Sequence, residues 1–304
     1  MRAMGQDGRD GRAVNVVERR GENRRDAPHQ PAETDEEPKP LGQEASEIID
    51  DASQIGAKRL HRSLLGSAIN GFIGGMSVSF GAVAMVWMAA SVGGDVAVPS
   101  AAHIAGALAF PIGFVILLIG KSELFTENFF LPVTAVLERR GSVGQLGALW
   151  GVSLAANLIG ALLFALLISR PGVLDPGPAR QMISLAEHNV GYPFGTAFVK
   201  AIFAGWLMTM LTWLLIAAEG IGPRLTIIWL MGTLIVLGQF NHVVISAAEV
   251  FMAMFLGAPI GVGDWLDANF LPALAGNVAG GLFFVTLLHY VQAKQHDQEG
   301  SGAK

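Results

Sequence analysis

The chain has 304 residues, of which 52% are hydrophobic, and a formal net charge of -5. This composition is typical of helical proteins that cross a membrane several times, and it argues against a soluble enzyme. The absence of cysteine excludes disulfides, thiol nucleophiles and cysteine-ligated metal sites. Charge is concentrated at the start, because residues 1–62 hold 13 of the 25 acidic and 11 of the 20 basic residues.

The first 62 residues predict two cytoplasmic segments. Residues 1–43 are rich in Arg, Asp, Glu, Pro and Gly and have few large apolar side chains, so they predict a disordered tail. No apolar core followed by a cleavage site is present, which predicts that there is no signal peptide. From 44 to 62 apolar residues recur at helical spacing, which predicts an amphipathic helix on the membrane face. An ordinary solvated helix leading into the first span is the alternative.

Six apolar runs are long enough to cross a hydrocarbon core of roughly 30 Å. They cover residues 63–90, 101–137, 143–169, 193–218, 225–256 and 268–292. Residues 63–292 therefore predict a six-span channel domain, followed by a cytoplasmic C-terminal tail over 293–304. Seven Lys and Arg residues flank the spans on one side and two on the other, so the positive-inside rule predicts that both termini are cytoplasmic.

Spans two and five each contain a polar interruption. Residues 120–129 read GKSELFTENF, and residues 238–242 read GQFNH. Ionisable side chains at membrane depth cost several kcal/mol unless they face protein or water. Irregular backbone is tolerated there only where it is buried in protein or lines a cavity. Both spans are therefore predicted to be broken helices beside a substrate path.

Weak internal similarity relates spans one to three with spans four to six. Residues 70–76 parallel 200–206, and the asparagines Asn157 and Asn277 stand at equivalent places in spans three and six. An odd number of spans per half forces the halves to run in opposite directions. The sequence thus predicts an inverted repeat, whose site lies where the two broken helices meet. The two asparagines are expected to tie the broken backbone together rather than to contact substrate.

Four segments carry a resemblance to a known family. Glu-Leu-Phe-Thr-Glu-Asn at 123–128 resembles the E-L-F-T-x-N signature of the formate/nitrite transporter family, and Phe-Asn-His at 240–242 resembles its central F-E-H. Residues 145–162 and 269–281 resemble its third and sixth spans. The resemblance covers 63–292 in the right order. The charged tail and the N-H-V-V sequence of span five are most similar to the YfdC-like branch of bacterial inner-membrane proteins.

The resemblance implies an all-α, aquaporin-like protomer with six transmembrane helices in two inverted three-helix repeats. It further implies a homopentamer in the lipid bilayer of the bacterial inner membrane, with one pore per protomer. The expected substrates are small monovalent anions or their conjugate weak acids, of the class of formate, nitrite and hydrosulfide. Neither enzymatic activity nor a cofactor, a bound metal or a nucleic-acid partner is expected.

The resemblance also assigns site residues. It makes His242 the central pore histidine and puts Thr126 in the loop that breaks span two. Leu124 matches the cytoplasmic-side constriction, and Phe110 matches an aromatic residue on the periplasmic side. The other expected pore residues are Phe114, Ile235, Asn241, Phe240, Lys200 and Lys121. Glu123 and Asn128 are expected to structure the loop, as are the two asparagines Asn157 and Asn277.

These residue types can move an anion in two ways. Apolar constrictions raise the barrier to any hydrated ion, and a hydroxyl donor with a nearby cation offsets that cost for an anion. A protonated His242 can instead hand its proton to a weak-acid anion, which then crosses as a neutral molecule. Asn241 departs from the family, because it supplies no charge where a carboxylate is usual, and Glu249 has no clear counterpart.

Three other functions stay open at this stage. His242 and Glu249 are seven residues apart and share a helix face, so with Glu123 they offer ligands for a cation or metal carrier. A pore for a neutral solute is a second alternative, although the absence of an N-P-A motif argues against an aquaporin. In the third, the pore has lost transport and the tail acts on a partner.

Overall fold

The computed structural model describes residues 43–302, with side chains described as far as residue 295. Of the tail predicted over residues 1–43, residues 1–42 lie outside the described residues. All the described helices belong to one compact unit. Throughout the described part, the regular secondary structure is helical.

The helices follow one another closely along the chain. In order they are α1 (Ala45–Leu60), α2 (Leu64–Val92), α3 (Ala101–Ala109), α4 (Pro111–Ile119), a 3-10 helix (Phe125–Phe129), α5 (Leu131–Leu137), α6 (Val143–Ile168), α7 (Pro176–Val190), α8 (Phe194–Ala217), α9 (Ile221–Leu237) and α10 (Val243–Phe255). A last helical run contains α11 (Val262–Asp264), a π segment (Trp265–Phe270), α12 (Leu271–Gly281), a second π segment (Leu282–Leu287) and α13 (Leu288–Gly302).

Five helical runs of the described residues are long and apolar enough to cross a membrane. They are Leu64–Val92, Ala101–Ile119, Val143–Ile168, Phe194–Ala217 and Val262–Gln295. The run predicted over 225–256 forms two shorter apolar helices, α9 and α10, which are separated at the predicted break. Span two is divided in the same way, since a loop and the 3-10 helix follow α4.

The segment between the third and fourth predicted spans contains no apolar run long enough to cross a membrane. The segment contains α7, which begins at Pro176 directly after its N-cap Asp175. Met182 and Ala186 are fully buried one turn apart, and α7 packs against α2 and α10. The helix is amphipathic, so a search for continuous apolar runs does not find it.

The first break is held by one asparagine of α6. Asn157 accepts a hydrogen bond at Oδ1 from the backbone N–H of Phe125, at 2.7 Å. Its Nδ2 donates to the carbonyls of Gly71 on α2 (2.6 Å) and Glu123 in the break (3.0 Å). One buried amide therefore satisfies backbone groups on both sides of the interruption.

The second break is held by the equivalent asparagine of α12. Asn277 accepts at Oδ1 from the backbone N–H of Val243, at 2.9 Å. Its Nδ2 donates to the carbonyls of Ala201 on α8 (2.8 Å) and Asn241 in the break (2.9 Å). The same three bonds recur in both halves of the chain, which gives the internal similarity of the sequence a structural basis.

Backbone geometry repeats as well. Lys121 and Gln239 each follow the glycine that ends a half-helix, and both have positive φ, at 62° and 50°. A Cβ on Gly75 would lie 2.0 Å from the carbonyl oxygen of Asn157, and one on Gly205 would lie 2.2 Å from that of Asn277. Only glycine permits these close approaches. Thus α2 packs on α6 as α8 packs on α12.

Candidate functional site

The two breaks meet at a buried contact between His242 and Thr126. His242 is the N-cap of α10, where its Nδ1 accepts from the backbone N–H of Ile245 at 3.3 Å. Its Nε2 lies 2.9 Å from Oγ1 of Thr126. With Nδ1 acting as acceptor, the neutral ring carries its proton on Nε2 and donates to the threonine. The hydroxyl proton of Thr126 is then directed elsewhere, so the pair can offer a donor to a third group.

A buried apolar cluster surrounds this contact. The rings of Phe110 and Phe114 meet edge to face, with centroids 5.3 Å apart, and both are fully buried. Leu124 is fully buried beside Thr126, and Ile235 joins the cluster from α9. Gly232 of α9 leaves room for Phe114, since a Cβ there would lie 3.0 Å from its ring. The polar contact is therefore enclosed by side chains that exclude hydrated ions.

One cavity lies on the α7 side of this cluster. It has a volume of about 50 Å³, which holds a few water-sized molecules. We call it the histidine cavity, because His103, His188 and His242 line it. Its other polar lining comes from Asn189, Gln239, Asn241, Ser246 and Glu249, and its apolar lining includes Phe110, Ile235 and Phe240.

A larger cavity of about 610 Å³ lies beside α1. We call it the basic vestibule, because five basic residues line it against three acidic ones. The basic residues are Lys58, Arg59, Arg62, Lys121 and Arg224, and the acidic ones are Asp51, Glu123 and Glu127. The two cavities adjoin opposite ends of α9: Ile228 lines the vestibule and Ile235 lines the histidine cavity. About 10 Å of helix separates these two residues.

Helix α1 clamps the first break from the vestibule. The guanidinium of Arg59 donates to Oε2 of Glu127 and to Oδ1 of Asn128, both at 2.9 Å, and its Nε lies 3.4 Å from Oε1 of Glu123. Arg62 contacts the same Glu123 oxygen at 2.8 Å. The two glutamates therefore pair with α1, and Lys121, which lines the vestibule at the positive-φ position, is exposed.

The 3-10 helix of the first break is fixed on its other side by α6. Asn128 donates from Nδ2 to Ser153, at 3.3 Å, and its carbonyl accepts from Nε1 of Trp150 at 2.9 Å. The ring of Phe129 meets Trp150 edge to face, at 5.4 Å between centroids. The loop that carries Leu124 and Thr126 is therefore held by ion pairs, hydrogen bonds and aromatic packing together.

Lys200 lies outside the lining of both cavities. Its Nζ is 3.4 Å from the carbonyl oxygen of Gln239 and 4.8 Å from the ring centre of Tyr192. The Tyr192 hydroxyl donates to Gln239 Oε1 at 3.1 Å, while His188 Nε2 lies 2.7 Å from the same hydroxyl. Burial raises the pKa of Tyr192 above its usual value. This network ties the turn before His242 to the segment between α7 and α8.

Phe240 and Asn241, the two residues before His242, make different contacts. Phe240 stacks on Phe203 of α8, with ring centroids 5.2 Å apart, and lines the histidine cavity. Among the described residues, the side chain of Asn241 makes only a long contact, from Nδ2 to the carbonyl of Asn269 at 3.5 Å, and its buried Oδ1 has no hydrogen-bond partner. Asn241 therefore leaves one acceptor free at the edge of the cavity.

Sequence reasoning missed three contributors to the site. Asn189 reaches the histidine cavity from α7, the helix that the apolar search did not find. Gln239 lines the histidine cavity, accepts from the Tyr192 hydroxyl and donates to the carbonyl of Ala97. Arg59 holds the first break through hydrogen bonds to Glu127 and Asn128, which are 68 and 69 residues later in the chain. Asn189 and Gln239 left local signals, since Asn189 follows the buried Met182 and Ala186 on one face of an amphipathic helix and Gln239 stands in the polar interruption at 238–242.

The described residues do not support the alternative of a metal carrier. In the part of the chain that the structure describes, no group of three or more His, Cys, Asp or Glu side chains is arranged to hold a metal ion. Glu123, one of the three ligands considered, is paired with Arg59 and Arg62 in the basic vestibule. It therefore lies away from the histidine cavity that His242 and Glu249 share.

Comparison with known sequences gives consistent matches. A sequence model of the formate/nitrite transporter family matches residues 46–291. Among curated relatives, the uncharacterized transporter YrhG of Bacillus subtilis (strain 168) is 29% identical over 256 residues, which cover 83% of this chain and 94% of YrhG. The inner membrane protein YfdC of Escherichia coli (strain K12) is 29% identical over 189 residues, which cover 62% of this chain and 60% of YfdC.

Comparison with solved structures agrees on the fold. A chain described as an FNT family ion channel superposes with a TM-score of 0.73 and 21% identity, and the match covers 81% of this chain and 99% of that one. A chain described as a pentameric formate channel with formate bound gives a TM-score of 0.64 and 19% identity, with 75% and 96% covered. At these identities the likeness is one of fold.

Proposed function

Because the chain belongs to the formate/nitrite transporter family, a family of membrane transporters, we propose that it is a channel for small monovalent anions or their conjugate weak acids. The class is that of formate, nitrite and hydrosulfide. The proposed pore runs from the basic vestibule past Leu124, between Thr126 and His242, and into the histidine cavity. It then leaves the protein between α7 and the end of α9.

One observation carries the proposal. The hydrogen bond between His242 and Thr126 is a polar contact inside an apolar cluster, and cavities adjoin the two sides of that cluster. A contact that only held the two breaks together would need no cavities beside it. A solute that passes this point exchanges its hydration for the Nε2–H of His242 and the hydroxyl of Thr126.

Charge around the basic vestibule favours an anion. Five basic side chains against three acidic ones give a net positive lining, which raises the local concentration of small anions. The N-terminal end of α10 starts at His242, so the partial positive charge of a thirteen-residue helix also faces the contact. A hydrated cation meets unfavourable charge in the vestibule and then an apolar slit.

We extend the proposal to the architecture. Helices α9 and α10 together form the fifth of six spans, and the two halves of the chain cross the membrane in opposite directions. The chain assembles as a homopentamer in the bacterial inner membrane with both termini in the cytoplasm. The internal repeat of hydrogen bonds supports the inverted arrangement, and the solved channel described as pentameric supports the oligomer.

Flux into proteoliposomes tests the proposal. Vesicles containing the full chain are challenged in parallel with formate, nitrite, hydrosulfide, acetate, lactate and glycerol. We expect saturable uptake of one or more anions in the wild type and a loss of at least tenfold in His242→Ala. The control His61→Ala changes a histidine that is exposed at the end of α1, so its uptake should match the wild type. Glycerol uptake without anion uptake would contradict the proposal.

A further inference from the structure

The histidine cavity contains a buried carboxyl group that the pore described so far does not use. Glu249 is 5% exposed, and its one hydrogen bond among the described residues comes from Nδ2 of Asn189, at 3.0 Å. It stands seven residues after His242 and three after Ser246, so all three lie on one face of α10 and line the cavity. The described ion pairs include none to Glu249.

The elements packed against α10 bring little charge to this carboxyl group. They are α2, α6, α7, α12 and the first π segment, and α2, α6 and α12 contain no titratable residue. Helix α7 contributes His188 to the cavity, while its Arg180 and Glu187 are exposed. In the π segment, Asp267 is exposed. Burying an unpaired charge is costly, so this environment suits a group that gains and loses a proton.

The three histidines of the cavity are already engaged. His103 lies with Nδ1 2.9 Å from the carbonyl of Val96, and His188 with Nε2 2.7 Å from the hydroxyl of Tyr192. His242 uses Nδ1 to accept from the N–H of Ile245, so protonating Nδ1, which would make the ring cationic, would break the N-cap of α10. Glu249 accepts its one described hydrogen bond at Oε2, so its Oε1 can gain and lose a proton without breaking a structural contact of the pore.

We propose that Glu249 exchanges a proton with the weak-acid substrate in the histidine cavity. The inference rests on the proposed function. The O–H bond of protonated Glu249 breaks, and an O–H bond forms on an oxygen of the carboxylate or nitrite substrate. The neutral acid crosses the slit past His242 and Thr126 and releases its proton to water in the basic vestibule. Glu249 regains a proton from water on its own side, so one proton moves with each anion.

The test measures formate and proton movement together. Proteoliposomes of the full chain, loaded with a pH-sensitive dye, receive radiolabelled formate, and background from protein-free vesicles is subtracted. In the wild type we expect about one proton to enter per formate, independent of an imposed membrane potential. Glu249→Gln should lower proton entry per formate at least fivefold and make the remaining uptake depend on the potential. The matched control Glu187→Gln, an exposed carboxylate on α7, should behave as the wild type.

A variant with a shorter acidic side chain separates an effect on proton exchange from an effect on folding. Glu249→Asp keeps a carboxyl group in the cavity, so it should keep about one proton per formate, even at a lower rate. Wild-type coupling in Glu249→Gln, or loss of coupling in Glu249→Asp with formate uptake intact, would overturn the inference while leaving the channel proposal standing. Absence of uptake for every anion in the wild type would overturn both.

Discussion

The two breaks share a backbone scaffold and differ in what surrounds it. Each has a positive-φ residue after a half-helix, and each is held by three hydrogen bonds from a buried asparagine. The first break is also clamped by Arg59 and Arg62. At the second break, the described residues make no ion pair, and the unpartnered Oδ1 of Asn241 and the carboxyl of Glu249 adjoin a cavity. The first break is therefore held by ion pairs, whereas the second places polar groups without ion pairs beside a cavity.

The two breaks also carry different side chains at equivalent positions. Leu124 and His242 occupy equivalent positions, each directly before the residue whose N–H the asparagine accepts. Two residues further on, Thr126 is equivalent to Val244. Each half therefore supplies one polar and one apolar residue at these two positions, and the polar ones meet at 2.9 Å. The symmetric backbone brings the breaks together, and the asymmetric side chains make the contact.

The largest expected effect comes from removing the clamp. Arg59→Ala leaves the buried Glu127 carboxylate without its main cation, and breaking a buried pair in this way costs about 3–5 kcal/mol. We expect a clearly lower midpoint of thermal unfolding of the purified protein. Lys58→Ala, an exposed neighbour on α1, is the control and should change the midpoint little.

The double variant Arg59→Met with Glu127→Gln sharpens the same test. It removes the charge of Glu127 together with that of Arg59, so no buried charge of this pair is left alone. The double variant should therefore recover part of the lost stability. A double variant that is as unstable as the sum of the single variants would show that the ion pair itself does not hold the first break.

The next largest effects are expected from replacing the two asparagines that hold the breaks. Asn157→Ala and Asn277→Ala each leave one N–H and two carbonyls without their side-chain partner, which costs about 2–3 kcal/mol. The stability losses should be similar because the contacts are the same. Formate uptake should fall further in Asn277→Ala, because the first break keeps its ion pairs to α1 while the described residues make no ion pair at the second. The reverse order of uptake would contradict the comparison.

A smaller effect is expected at the contact between the breaks. Thr126→Val keeps the shape of the side chain and removes the hydrogen bond to His242, which contributes about 1 kcal/mol. Formate uptake should fall roughly tenfold if the hydroxyl also contributes about 1.4 kcal/mol to passage of the anion. Thr126→Ser restores the hydroxyl and should restore most of the uptake. Equal uptake in the valine variant would exclude a role for this hydroxyl in the pore.

The smallest effect concerns the end of α5, where Glu138 pairs with Lys294 of α13 at 2.8 Å. The hydrogen bond from Lys294 holds the pKa of Glu138 below its usual range. The pair therefore stabilises the fold above the ordinary carboxyl pKa, and this contribution is lost as the pH falls through the lower folded value. Both side chains are partly exposed, so Lys294→Ala should cost less than about 1 kcal/mol.

Thermal unfolding at two pH values measures this pair. The difference between wild type and Lys294→Ala should be present at neutral pH and should shrink in acid. A difference that grows as the pH falls would contradict the assigned direction of the pKa shift.

The sequence was most informative where charge or periodicity was local. Three charges within seven residues of an apolar run predicted the first break, because no unbroken lipid-facing helix accommodates them. Asn157 and Asn277 were recognisable in the sequence as equivalent positions of the internal repeat. The clamp was not predictable, because Arg59 and Glu123 are 64 residues apart and their pairing depends on how α1 docks on α5. Helix α7 was not predicted because it is amphipathic and contains no long apolar run, and Asn189 was missed with it.

One measurement tests the central claim that a pore connects the basic vestibule with the histidine cavity. The chain contains no cysteine, so Ser122→Cys and Ser246→Cys report on the two cavities separately. A negatively charged thiol reagent that cannot cross membranes should block formate uptake in each variant from opposite sides of the vesicle, with formate protecting both. Labelling of both from the same side, or labelling without loss of uptake, would contradict the account.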